Sequence, residues 1–92
     1  MNQYYNYEEV EMINERVDKK TGYIIWNATA QRPDIKYPDG TYYGGLHCGN
    51  LLEVFVQGKW QPTRLEYIYS TETWYLAGIE KGNELLWLEV RK

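Results

Sequence analysis

His47 and Cys48 come closest in this chain to a reactive or metal-binding pair. The sequence of 92 residues contains one His and one Cys, whereas zinc takes four protein ligands, or three and a water. Adjacent residues on a strand point to opposite faces, so a Cys–His nucleophile pair lacks the geometry that it needs. We therefore predict that both residues are structural, beside a turn at Gly49, and that the chain has no metal site and no catalytic residue.

Glutamates are the other side chains that could do chemistry, because two carboxylates can act together in hydrolysis. The candidates are Glu53, Glu66, Glu72, Glu80, Glu84 and Glu89. All fall on expected solvent faces or turns, where acids promote solubility. Gly44 and Gly45 lack the following Lys and Ser or Thr of a phosphate-binding loop, and they more simply allow a bend. The sequence thus predicts a protein that is not an enzyme and needs no cofactor.

Aromatic side chains are the stronger functional signal, at 16% of residues, from 10 Tyr, 4 Trp and 1 Phe. Most should pack a thin core, because Tyr and Trp bury apolar area and keep a polar tip hydrated. In SH3-like domains, however, aromatics from the long first loop and the central hairpin line a peptide groove. The candidates for partner binding are Tyr42, Tyr43, Trp60 and Tyr75. Trp60 could equally pack the core, and Trp74 is expected to do so.

Two classes of ligand suit such a surface: an extended peptide, or single-stranded bases stacked on the rings. The net charge of −3 and the pI of about 5.1 disfavour nucleic acid, whose phosphates call for a basic patch. Lys59, Arg64 and Arg32 could still assist such binding. We expect a protein partner, with single-stranded nucleic acid as the alternative.

A β-hairpin is predicted at the centre of the chain. Its first arm, Leu51–Val56, is rich in residues that suit a half-buried strand. Gln57 and Gly58 then predict a two-residue turn, since glycine accepts the positive φ that tight hairpins require. This register places Phe55 opposite Trp60.

Pro62 predicts that the second arm is an edge at that point or carries a bulge, because proline cannot donate to a ladder. The same register puts Arg64 diagonally across from Glu53, within reach of an ion pair. A bulge would change the facing of the residues that follow. The facing of Leu65, Tyr67 and Tyr69 therefore stays open.

The remaining strands are short and separated by turn signals. They are predicted at Tyr23–Asn27, Ile35–Tyr37, Thr41–Tyr43, Trp74–Ala77 and Leu85–Arg91. Pro33 and Asp34 should interrupt the strand structure between the first two of these strands. This rhythm predicts a mainly β fold, a small SH3-like barrel of five to six antiparallel strands over residues 21–92. Closure of the barrel would remove most unpaired edges.

An α-helix is predicted over residues 7–19, within an N-terminal extension that comprises residues 1–20. Val10, Ile13 and Val17 share one narrow apolar face. Glu8, Glu11 and Glu15 could bind a basic groove on a partner, although a solvated helix face is the commoner explanation. The sequence leaves open whether this helix docks on its own barrel or on another chain.

The length allows one domain. A single cysteine, Cys48, forms no internal disulfide, which fits a reducing cytosol. The N-terminus has no basic stretch followed by an apolar core, and no apolar run is long enough to cross a bilayer. We therefore expect a cytoplasmic protein that does not contact membranes; its oligomeric state is left open.

Three ordered blocks carry a resemblance to a known family: the Leu46–Val54 block, the Gly58–Glu66 block and the Trp74–Ile79 block. Over about residues 21–91 the chain resembles a bacterial family of small proteins of unknown function, seen in Firmicutes and in their mobile elements and phages. The resemblance transfers no catalytic residue. It implies a small accessory protein of a phage or mobile element, and an inhibitor of a bacterial defence system, of the anti-CRISPR type, is one concrete form.

Overall fold

The computed structural model describes residues 19–79 and 84–92, which form one antiparallel sheet of six strands. The strands are Thr21–Asn27 (β1), Arg32–Lys36 (β2), Leu51–Val56 (β3), Lys59–Ile68 (β4), Thr73–Leu76 (β5) and Glu89–Arg91 (β6). Their order is β2-β1-β6-β3-β4-β5, and the sheet curls into a half-barrel. The expected mainly β fold of five to six antiparallel strands is confirmed. The predicted helix over residues 7–19 lies outside the described residues, save for Lys19.

The sheet is open rather than closed. β2 and β5 lie at its two ends and share no register. Residues 43–46 instead run along the outer edge of β2, where the Leu46 N–H donates to the Pro33 carbonyl at 2.8 Å. Farther along, the Gly49 N–H donates to the carbonyl of Leu65 in β4 at 2.7 Å. Residues 43–49, which we call the connecting segment, therefore link β2 to β4 in place of a direct pairing of β2 with β5.

The core fills the concave side of the sheet. Strand alternation sends every second side chain inward, so that Val54 and Val90 face each other across β3 and β6, and Leu65 and Leu76 across β4 and β5. The buried apolar residues are Ile24, Ile35, Tyr37, Leu46, Leu52, Val54, Leu65, Leu76, Ile79, Leu85 and Val90. Each fully buried aliphatic side chain contributes roughly 1.5–3 kcal/mol. Leu46 joins this core from the connecting segment, which fixes that segment to the sheet.

The central hairpin has the predicted register, with Phe55 opposite Trp60. Gln57 and Gly58 both have positive φ, 50° and 79°, which is the signature of a type I′ turn. The pairing continues without interruption through Pro62. β5 pairs with β4 from Leu65 onward, so β4 is an edge at Pro62 and loses no ladder bond there.

The predicted ion pair between Glu53 and Arg64 is wrong. Arg64 instead pairs with Glu66 on its own strand, while Glu53 accepts a hydrogen bond of 2.5 Å from Nε of Arg91. The reason is the neighbouring strand: β6 places Arg91 directly opposite Glu53, closer than any diagonal partner in the hairpin.

The predicted break at Pro33 and Asp34 is also wrong, because both residues lie inside β2 and are buried. The Pro33 carbonyl faces the outer edge, where it accepts from Leu46. In an antiparallel strand the N–H and C=O of one residue point to the same side, so the donor that proline lacks would also face this edge. Pro33 therefore costs the β1–β2 ladder nothing.

The last strand is shorter than predicted. β6 begins at Glu89, and Leu85–Leu88 form a turn in which Trp87 has φ of 73°. The Trp87 N–H donates to the Ile24 carbonyl at 2.7 Å, so the turn is held against β1. Leu86 is consequently 53% exposed, whereas a regular strand over Leu85–Arg91 would place it on the buried face of Val90.

Candidate binding site

One end of the concave face carries four aromatic rings, which we call the aromatic site: Trp26, Tyr67, Tyr69 and Trp74. Tyr67 and Trp74 are opposite each other in the register of β4 and β5, and their ring centroids are 4.6 Å apart. Tyr69 meets Tyr67 edge-on at 5.0 Å. The same alternation that buries Leu65 turns Tyr67 to the concave side, so the cluster continues the core toward solvent.

Trp26 joins the site from the other end of the sheet. It lies opposite Pro33 in the register of β1 and β2, on the face that buries Ile24. Trp26 is 43% exposed and Tyr69 is 81% exposed. These rings therefore expose a large apolar area to water. A contiguous exposed apolar patch is unusual on a protein surface and often marks a binding site.

Two open recesses flank Trp74, which lines both of them. The first, of about 460 Å³, is lined by Arg32, His47, Cys48, Tyr67, Tyr69 and Trp74. The second, of about 280 Å³, is lined by Trp26, Pro33, Glu72, Thr73, Trp74, Leu85 and Leu86. A larger recess of about 620 Å³ lies between Gln57 and Ile79, but its described lining carries no charge. The pair at Trp74 combines rings with charged groups, the combination that fixes a ligand's orientation.

Arg32 supplies the positive charge of the first recess. Its Cζ lies 5.7 Å from the Trp74 ring centroid, within the range of a cation–π contact. Its Nη1 donates to the Leu46 carbonyl at 3.1 Å and contacts Nδ1 of His47 at 3.0 Å. Because a guanidinium nitrogen only donates, Nδ1 of His47 accepts and the neutral ring carries its proton on Nε2. His47 is thus engaged by Arg32 through Nδ1, while Cys48 is exposed beside it.

Asp34 anchors the segment that carries His47. Its Oδ1 accepts the N–H groups of Ile35, Gly44 and Gly45 at 2.8, 2.9 and 2.8 Å, and its Oδ2 accepts from Asn27 Nδ2 at 3.0 Å. Burial raises the pKa of this carboxyl, but the four hydrogen bonds outweigh burial and hold the pKa below its usual 3.8. The ionised carboxylate therefore ties residues 43–46 to β2.

The predicted partner-binding aromatics do not cluster. Tyr42 pairs with Lys36 through an isolated bridge beyond β2, and the Tyr43 ring lies 5.3 Å from Nζ of Lys92. Trp60 is on the convex face, 5.2 Å from Phe55 and 4.4 Å from the Arg91 guanidinium. Tyr75 is opposite Glu66 on the same convex side of β5. Among the described residues, no ring contact joins these four side chains into one groove.

The predicted acidic residues Glu8, Glu11 and Glu15 lie outside the described residues. Within residues 19–79 and 84–92, no three His, Cys, Asp or Glu side chains come together as metal ligands do. In that same part of the chain, no helix has the length and apolar character needed to cross a membrane.

Sequence reasoning missed the aromatic site, although a signal for it exists. Tyr67 and Tyr69 are two positions apart, and Trp74 follows after one tight turn. In a regular hairpin this spacing places all three rings on one face. Pro62 leaves the facing of Tyr67 and Tyr69 open in the sequence, and this conceals the cluster. Trp74 packs against the core as expected, but it is only half-buried.

The fold and the site define a small open β-domain with an exposed aromatic face. The chain belongs to the family described as a domain of unknown function, DUF5348, whose model matches residues 22–91. It is also similar to a protein from Ruminococcus gnavus whose crystal structure was solved by a structural genomics consortium. The two are 34% identical, with a TM-score of 0.69, and the match covers 79% of this chain and 100% of the other. No curated protein matches the chain.

Proposed function

We propose that this chain is a non-enzymatic protein-binding module, and that its aromatic site binds an extended segment of a bacterial partner. The observation that carries the proposal is the exposure of Trp26 and Tyr69 beside Trp74, where rings could have been folded into the core. Tyr and Trp are the side chains that dominate binding energy in protein interfaces. Grooves lined by such rings bind extended and proline-rich peptides, the mode that an SH3-like domain would use.

The setting of this binding is part of the proposal. The resemblance to small proteins of Firmicutes, mobile elements and phages favours an accessory protein that acts in the cytoplasm. Occupying a surface of a host defence protein, and so blocking that surface, is the concrete form that we propose. Such an inhibitor needs a rigid surface and no chemistry, which agrees with the engagement of His47 by Arg32 and not by Cys48.

Single-stranded nucleic acid is the second candidate, and the distribution of charge favours it. The described residues contain eight Lys and Arg against seven Asp and Glu, a formal charge of +1. The acidity of the whole chain comes from residues 1–18, which hold five acidic residues and one Arg. The overall charge of −3 therefore says little about the aromatic site itself. Bases could stack on Trp74 and Tyr69, with Arg32 near a phosphate.

The test uses Trp74→Ala, with Trp87→Ala as a matched control. Trp87 is 69% exposed and lines neither recess at Trp74. A partner captured from bacterial lysate is purified, and its affinity for each variant is measured by calorimetry. We expect at least a tenfold weaker affinity for Trp74→Ala, since hot-spot truncation costs about 2 kcal/mol, and no change for Trp87→Ala.

A partner that binds Trp74→Ala as tightly as the wild type would refute this site. Fluorescence anisotropy with a labelled oligothymidine separates the second candidate. Binding that is lost in Trp74→Ala and weakens steeply between about 50 and 200 mM salt would favour nucleic acid. Loss of activity in Cys48→Ser, in any assay of the partner, would argue against a non-enzymatic role.

A further inference from the structure

Arg32 retains unused hydrogen-bonding capacity. Both of its contacts leave from Nη1, one to Leu46 and one to His47. Within the described part of the chain, its Nε and Nη2 groups have no partner. These two nitrogens form one edge of the planar guanidinium, and that edge matches the two oxygens of a carboxylate. The side chain lines the recess beside Trp74.

The surroundings of Arg32 hold this edge in place. Its Nη1 is fixed by two contacts, and its Cζ lies 5.7 Å from the Trp74 ring. A guanidinium that is already ordered loses little rotamer freedom when it binds a ligand. His47 lines the same recess, and its ring has an N–H donor on Nε2 because Nδ1 accepts from Arg32. Two donors therefore serve one recess.

The second recess has the opposite character. Its described lining is apolar apart from Thr73 and the exposed Glu72. Glu72 would repel a carboxylate placed there, while Trp26 and Leu86 offer contact to an aliphatic or proline side chain. The two recesses share Trp74 as a common wall. A ligand that spans both recesses therefore places an acidic group beside Arg32 at one end and an apolar group beside Trp26 at the other.

We propose that the aromatic site recognises a peptide segment in which an acidic side chain lies next to a bulky apolar or proline residue. The carboxylate binds the Nε and Nη2 edge of Arg32, and the apolar side chain packs between Trp74 and Trp26. This inference rests on the proposed protein-binding function and names the chemistry of the partner segment. Glu72 excludes a second acid from the apolar end.

The experiment uses three blocked heptapeptides and ¹⁵N NMR of the full chain. The first peptide is Gly-Gln-Pro-Leu-Pro-Glu-Gly. The second has Gln in place of the Glu. The third keeps the Glu of the first peptide and has a second Glu in place of its Gln. Millimolar affinities are measurable this way, through the indole N–H signals and the Arg32 Nε–H signal. We expect the first peptide to bind about tenfold more tightly than the second, since a charge-assisted pair replaces a neutral one. The third should bind no better than the first.

Arg32→Gln should abolish the preference for the first peptide over the second, and Arg32→Lys should reduce it, because an ammonium lacks the paired edge. Arg64→Gln is the matched control, since Arg64 is exposed on the convex face and pairs with Glu66. It should leave the preference intact. Thermal melts of every variant show whether it is folded, and the comparison of peptides on the wild type needs no variant.

Each outcome decides the matter. Equal binding of the first and second peptides would overturn this inference and leave the proposed function standing. Absence of binding by all three, at concentrations of about 10 mM, would count against both. Tighter binding of an eight-residue oligothymidine, lost in Arg32→Gln, would replace the carboxylate by a phosphate and assign the site to nucleic acid.

Discussion

Replacing Asp34 by Asn should destabilise the domain by about 2–4 kcal/mol. The Asn side chain keeps an oxygen for the N–H groups of Ile35, Gly44 and Gly45, but those three bonds lose their ionic character. Hydrogen bonds to charged groups contribute about 1.5–3 kcal/mol, against about 0.5–1.5 for neutral ones, so each bond weakens by about 1 kcal/mol. Release of the burial cost of a charge offsets part of this loss.

The fourth bond is lost outright. Asn27 Nδ2 now donates to Asp34 Oδ2 at 3.0 Å, whereas the new amide would face it with a second donor. Asn27 cannot simply flip, because its Oδ1 accepts the Ala30 N–H at 2.9 Å. The exchange of both residues, Asn27→Asp with Asp34→Asn, restores an amide-to-carboxylate bond. It should recover about 1 kcal/mol of the loss.

The assay is urea unfolding followed by tryptophan fluorescence at pH 7, 4 and 3. The pKa of Asp34 lies below 3.8 in the folded chain, so its ionised form stabilises the fold above that pH and loses this effect as the pH falls through the folded value. The gap between wild type and Asp34→Asn should therefore be largest at pH 7 and shrink below 3.8. Asp39→Asn is the control, since Asp39 is exposed and should matter far less.

A gap that stays constant from pH 7 to pH 3, or one that widens in acid, would refute the assignment of an ionised Asp34. An unfolding free energy for Asp34→Asn within about 0.5 kcal/mol of wild type would show that residues 43–46 do not depend on this carboxylate.

Three further substitutions test the sheet. Gln57→Asn should stabilise the domain by about 0.5 kcal/mol, because Asn tolerates the left-handed φ of 50° at that turn position. The melting temperature should rise, and a lower melting temperature would contradict the type I′ turn. Gly22→Ala should cost about 2–3 kcal/mol in urea unfolding, since the new Cβ would lie 2.5 Å from the Lys36 carbonyl oxygen, and a neutral effect would place β2 farther from β1. Trp60→Ala and Arg91→Ala should show a coupling of about 0.5–1 kcal/mol in a double-mutant cycle; additive losses would argue against their cation–π contact at 4.4 Å.

The central hairpin could be predicted from the sequence because its determinants are local. Leu51–Val56 alternates correctly, and Gly58 fits the turn. The register follows from these features alone. Membership of a family of unknown function over residues 22–91 likewise agrees with the extent of the resemblance, about residues 21–91.

What could not be predicted depends on neighbours that are distant in sequence. Pro33 is compatible with β2 only because β2 lies at an end of the sheet, and that position is set by the strand order. Glu53 pairs with Arg91 and not with Arg64, because β6 lies between β1 and β3 in the sheet. The aromatic site needs the same information, since Trp26 and Trp74 lie 48 positions apart in sequence and meet only because the sheet curls.

An unclosed sheet offers its outer strands to other copies of the chain, which is a common route to aggregation. Here residues 43–46 already occupy the free side of β2, with Tyr43 donating to the Ile35 carbonyl at 3.0 Å. At the opposite end, β5 has only four residues, too few to template a long ladder. The domain can thus leave its concave end accessible while giving a second copy little backbone to pair with.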